Sequence, residues 1–106
     1  MLTINIEDNR KTYEQIFFEN AVQLCKEFVS EICSAIDKGQ DDAKIYQIIC
    51  GEFTHSISVK KDIFLPELKK YMICLIEFEE YEYCALAQKY IDFLQNTKQI
   101  PEKIII

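Results

Sequence analysis

His55 is the single histidine of this 106-residue chain, and the hydroxyls of Thr54 and Ser56 flank it. A local cysteine–histidine pair would have to use Cys50. On one helix, five residues of separation leave the two side chains about 140° apart around the axis. Nucleophilic and acid–base chemistry needs its groups within hydrogen-bond reach, so His55 reads as a capping or surface residue. Five cysteines (Cys25, Cys33, Cys50, Cys74 and Cys84) occur without a Cys-x-x-Cys pair. They fall among apolar positions, as reduced thiols acting as small hydrophobes do, whereas zinc wants closer ligand pairs and more histidine. Glu77, Glu79, Glu80 and Glu82 supply the oxygens a divalent cation takes, but helical spacing scatters them around an axis. Gly39 and Gly51 stand alone, so no glycine-rich phosphate loop exists, and no Glu-x-x-His pair marks a di-iron bundle. No catalytic, cofactor-binding or metal-ligating residue is assigned, and the chain is expected not to be an enzyme.

The same glutamates interleave with aromatic side chains. Aromatics carry interface energy and acids steer a basic partner. Phe78, Glu79, Glu80, Tyr81, Glu82 and Tyr83 are therefore the candidate interaction residues. Ile104, Ile105 and Ile106 join them, because burying each such terminal side chain is worth about 1.5–3 kcal/mol. The isoleucine tail is expected either as an extended strand beside Leu2–Ile6 or inserted into another subunit.

The formal charge of −6 and the single arginine, Arg10, disfavour direct nucleic-acid binding, which rests on clustered Lys and Arg. With 49% hydrophobic and 28% charged residues, the composition is that of a globular protein. The opening residues lack a basic leader and reach Glu7-Asp8 at once. No apolar run approaches the ~20 residues of a membrane span. A cytoplasmic protein without membrane contact is expected. Scarce arginine beside abundant isoleucine and lysine suggests AT-rich coding, bacterial or phage.

The elements that must position these residues read as mostly helical. Two glycines and two prolines argue against a turn-rich β fold. Leu2 to Ile6 alternates as a short strand does. Asp8 or Asn9 can cap the first helix, and Thr12 with Gln15 offers a capping box. From Tyr13 to about Lys38 the apolar residues form two adjacent stripes. Phe17, Ala21, Leu24, Phe28, Ile32 and Ala35 make one; Phe18, Val22, Cys25, Val29, Cys33 and Ile36 make the other. That arc is wider than one neighbour requires, so the helix is either the centre of a bundle or shares a face with another chain. Lys38-Gly39 suits its end. A second helix is expected from Asp41 or Asp42, with Ile45, Tyr46, Ile49, Cys50 and Phe53 on one face. Thr54 to Val59 fits a loop, a frayed helix end or a strand. Pro66 opens a third helix, with Leu68, Met72, Leu75 and Ile76 inward. A tight turn near Glu77–Glu80 leads to a fourth helix reaching about Asn96, with one long carboxy-terminal helix as the alternative.

Residues Leu68 to Leu94 resemble the UVR motif, the helical hairpin of bacterial excision-repair proteins and some Clp-associated regulators. Leu68 and Met72 match its opening, Tyr81-Glu82 its Phe-Glu, Cys84-Ala85 its small pair, and Ile91 and Leu94 its close. Gln88-Lys89 replaces the family's Arg-Asp, and Glu79 stands where an apolar residue is usual. The resemblance implies a protein–protein interaction hairpin, often self-associating.

The expectation is thus a single all-α domain over residues 1–106. It would be a small four-helix bundle, or a three-helix bundle with one long last helix, with short terminal strands at 2–6 and 103–106. Its expected role is that of a non-enzymatic interaction protein that forms a homo-oligomer and meets a protein partner, for which a basic surface is one candidate. The alternative is an acidic phage or mobile-element inhibitor of a nucleic-acid-binding enzyme.

Overall fold

A computed structural model describes residues 1–6 and 12–105, with the backbone alone described at Tyr13 and over 97–105. Leu2–Asn5 forms strand β1, as its alternation predicts. Thr12 caps helix α1 (Tyr13–Glu19) through the expected box. The Gln15 amide donates to Thr12 Oγ1 at 3.2 Å, and the Thr12 amide donates to Gln15 Oε1 at 2.9 Å. Asp8 and Asn9 lie outside the described residues.

The long helix expected from Tyr13 is divided. Asn20, at φ −114° and ψ 20°, separates α1 from α2 (Ala21–Lys38). Its side-chain amide donates to the Ile16 carbonyl at 2.9 Å, the local competition with helix bonding that makes asparagine a helix interrupter. Gly39 ends α2 at φ 65°. The Gly39 and Gln40 amides close the turn onto the Ile36 and Ala35 carbonyls.

An all-α bundle is not what forms. Asp42–Cys50 is strand β2 where a helix was expected, and Phe53–Lys60 is strand β3. The sheet is mixed, in the order β1-β2-β3, with β1 parallel and β3 antiparallel to β2. The misreading has a physical cause. A bulge between Lys44 and Tyr46 inserts one residue into β2. Ala43 and Ile45 are buried two apart, but the next buried residue, Ile48, comes three later. A strand with an extra residue thus imitates helical spacing. Gly51, at φ 60°, begins the two-residue loop to Phe53, where a type II′ hairpin needs glycine.

A short 3₁₀ turn (Lys61–Ile63) leads into α3 (Phe64–Glu77), and α4 follows as Tyr81–Ile105. The turn expected near Glu77–Glu80 therefore forms. Glu79 adopts φ 59°, and the Glu79 and Glu80 amides donate to the Ile76 and Leu75 carbonyls, each at 3.0 Å. The strand expected at 103–106 does not form: the backbone is helical through Ile105, and Ile106 lies outside the described residues. Helix α4 packs on α3 and α2. A helix continuing from that support satisfies its own backbone groups, whereas a terminal strand needs a sheet edge.

One continuous core joins these elements. Helix α2 lies between β2, α3 and α4 and buries Leu24, Cys25, Phe28, Val29, Ile32, Cys33 and Ala35. Three neighbours explain the wide arc, from Leu24 onward, within a single chain. The Phe28 ring stacks on Tyr71 of α3 at 4.0 Å and meets Tyr46 of β2 edge-on at 6.1 Å. Across the sheet, Leu2 pairs with Tyr46 and Ile4 with Ile48, while Thr3 pairs with Gln47 on the other face. There Gln47 Nε2 donates to Thr3 Oγ1 at 3.1 Å, a polar face turned away from the core.

Candidate interaction surface

Three contacts fix how α2 and α3 meet. Phe28 stacks on Tyr71, Cys25 touches Cys74, and Lys26 Nζ lies 3.1 Å from Glu80 Oε1. As α2 descends in number α3 ascends, so the two run antiparallel. The start of α2 and the end of α3 therefore share one end of the domain. A groove of about 570 Å³ lies there, lined by Phe18, Glu19, Asn20, Ala21, Val22, Gln23 and Phe78. Phe18 is 83% exposed and Phe78 44%. Phe18 ends up outside the core because α1 stops at Glu19 and the chain turns at Asn20.

The acidic–aromatic segment divides its residues between two tasks. Phe78 lines the groove, with Glu77 and Glu79 on either side of it in the chain. Tyr81 and Glu82 are exposed. Glu80 is half-buried in its ion pair with Lys26. Tyr83 turns inward and packs on the core, with the Lys26 ammonium 5.4 Å from its ring centre. One lysine thus ties the first turn of α4 to α2. The side chains of Ile104, Ile105 and Ile106 lie outside the described residues. Phe18 was not singled out from the sequence. Its signal was the surplus width of the stripes it belongs to, which no neighbour among the described residues fills at that end.

The groups with reactive potential are arranged otherwise than a helix would hold them. Cys50 pairs with Phe53 and Ile48 with His55 across the hairpin. Cys50 and His55 therefore lie on one face of the hairpin as a diagonal pair, not about 140° apart as on a helix. Burial pushes the Cys33 thiol up to about 12, and burial together with the neighbouring Cys74 thiol does the same for Cys25. Such thiols stay protonated at neutral pH and are poor nucleophiles. A second cavity, of about 320 Å³, is lined by Ile36, Asp37, Lys89, Tyr90 and Phe93. There the Tyr90 hydroxyl lies 2.7 Å from both Asp37 carboxylate oxygens. That hydrogen bond, with some burial, pushes the phenol up to about 12. Among the described residues no three His, Cys, Asp or Glu side chains converge as a metal ion would require. No helix among them is long and apolar enough to cross a membrane.

The chain matches no family model, no curated protein and no solved structure. The described residues form a small α/β domain with four α-helices and a three-stranded mixed sheet.

Proposed function

We propose that this chain is a non-enzymatic interaction protein whose groove between α1, α2 and the α3–α4 turn takes a basic amphipathic segment of a partner protein. The observation that carries this reading is the placement of Phe18 and Phe78. They come from distant parts of the chain, line one groove and expose large apolar area. Aromatic anchors of that kind supply most of the energy in protein interfaces. The surrounding charge selects the partner. Glu19 lines the groove and Glu77 and Glu79 flank Phe78, on a chain of net charge −6. Such a rim speeds association with a basic surface and makes it salt-sensitive.

The test uses a synthetic amphipathic helix with lysines on one face and leucine and phenylalanine on the other, beside a glutamate-for-lysine control. Binding followed by amide chemical shifts is expected to perturb Phe18, Val22 and Phe78 and to spare the sheet. Phe78→Ala and added salt should each weaken it, and the acidic control should not bind. Shifts centred elsewhere, or equal binding of both peptides, would overturn the reading.

Self-association is the second reading, and a separate observation favours it. Ile73 and Ile76, one turn apart on α3, are 60% and 47% exposed, an apolar stripe on the hairpin that resembles a self-associating motif. Light scattering across a concentration series is expected to show a dimer that Ile73→Lys dissociates. A concentration-independent monomer would remove this reading.

A further inference from the structure

Cys25 on α2 and Cys74 on α3 are 49 positions apart in the chain, yet their Sγ atoms lie 2.9 Å apart. Both are free thiols. The gap is within about 1 Å of a covalent S–S bond length. The two sulfurs sit on adjacent antiparallel helices, so a small rotation of either side chain closes it. Their surroundings differ: Cys25 is fully buried, while Cys74 is half-exposed. The other thiols are placed differently. Cys33 lies two turns further along α2 in the core, Cys50 lies on β2, and Cys84 Sγ faces the Met72 carbonyl at 3.7 Å.

We propose that Cys25 and Cys74 form a peroxide-responsive dithiol, which hydrogen peroxide converts into an intramolecular disulfide that staples α2 to α3. Cys74, the less buried residue of the pair, is the one that peroxide reaches first. It attacks one peroxide oxygen, the O–O bond breaks, and the products are a Cys74 sulfenic acid and one water. The Cys25 sulfur then attacks the Cys74 sulfur, the S–O bond breaks, and the departing hydroxide takes the Cys25 proton to leave a second water. Two thiols lose two electrons and two protons in total, and peroxide gains both. Burial keeps Cys25 protonated and slow toward dissolved oxidants, so it acts only in this second step, where contact with the sulfenic sulfur offsets its weak nucleophilicity and its proton leaves with the hydroxide. A sulfenic acid beside a second thiol follows this course in preference to further oxidation.

The staple lies one turn behind the groove, because Cys25 follows Ala21 by four residues and Cys74 precedes Phe78 by four. The inference does not depend on the partner proposed above. It uses only the pairing of the two thiols.

The test treats the whole protein with hydrogen peroxide, blocks remaining thiols with an alkylating agent under denaturing conditions, and weighs it. The expected product has lost two hydrogens and two alkylation sites while remaining monomeric. Cleavage after glutamate separates Cys74 from Cys84, and the linked peptides should carry Cys25 and Cys74. The melting temperature should rise on the order of 10 °C, since the bond closes a long loop of the unfolded chain, and a reductant should reverse the rise. Cys74→Ala, at a half-exposed site, should abolish both link and shift; Cys84→Ala should keep both. A sulfinic acid at Cys74 with Cys25 still alkylatable would overturn the proposal. So would a link that maps to Cys50 or Cys84, or one that joins two molecules.

Discussion

Replacing Phe28 by alanine tests the junction on which the fold depends. Its ring is buried, stacks on Tyr71 at 4.0 Å and meets Tyr46 at 6.1 Å, so one side chain joins α2, α3 and β2. Removing a buried phenylalanine costs about 3–5 kcal/mol. Part of that loss is the stacking itself, about 0.5–1.5 kcal/mol for an aromatic pair beyond its buried area. At a urea slope of about 1.5 kcal/mol per molar, a loss of about 4 kcal/mol lowers the unfolding midpoint by roughly 2–3 M. Urea titration followed by far-ultraviolet circular dichroism measures the midpoint. The chain has no tryptophan, so the near-ultraviolet signal of its tyrosines reports on the stack directly. Phe28→Leu, Tyr71→Leu and the double variant complete a cycle, with an expected coupling of about 1 kcal/mol. A loss below about 1 kcal/mol for Phe28→Ala, outside the range for a buried ring, would refute the packing. So would a coupling of zero.

Two further outcomes follow from backbone and proton geometry. Glu79 and Gly39 both hold left-handed backbone, at φ 59° and 65°. Glu79→Gly should stabilise by about 0.5–1 kcal/mol, and Gly39→Ala should destabilise by about 1 kcal/mol. No atom lies within 4 Å of a β-carbon built at Gly39, so that cost is conformational alone; thermal melts of both variants check the pair. The Tyr90 phenol, pushed up to about 12 by its hydrogen bond to Asp37, should ionise well above the usual phenol range in an ultraviolet absorbance titration, and Asp37→Asn should lower it. Its folded value exceeds its unfolded one, so the stability it contributes is complete below about pH 10 and is lost as the pH rises toward 12.

Local signals carried much of the helical part of this fold. Thr12 with Gln15 and Lys38 with Gly39 announced their caps, because capping depends on neighbours in the chain. The glutamate-rich turn announced the hairpin for the same reason. The β2 strand was hidden by its own bulge, which moved Ile48 out of step with Ala43 and Ile45. Its partner β3 alternates over Ser56-Ile57-Ser58-Val59, a run too short, beside Lys60-Lys61, to separate a strand from a loop or a frayed helix end. Phe78 was visible as a candidate site residue because acids crowd around it in sequence. Phe18 was not, since a single asparagine within an otherwise helical pattern marks the turn at Asn20 too weakly to divide the stripe. The contact between Cys25 and Cys74 is a product of tertiary packing, and no spacing rule along the chain encodes it.

The strand order β1-β2-β3 has a cost in crowded solution. Among the described residues no further strand lies beyond β1 or β3, so each ends the sheet with one rim of amide and carbonyl groups. The rim of β1 spans four residues, too short to template much. That of β3 spans eight, and from Phe53 to Val59 it carries no proline and no Asp, Glu, Lys or Arg. Such a rim invites lateral growth, one molecule adding its strand to the next. Lys60 and Lys61 stand guard at one end only. The net charge of −6 opposes such growth by mutual repulsion, where the strand's own sequence does so only through its terminal lysines.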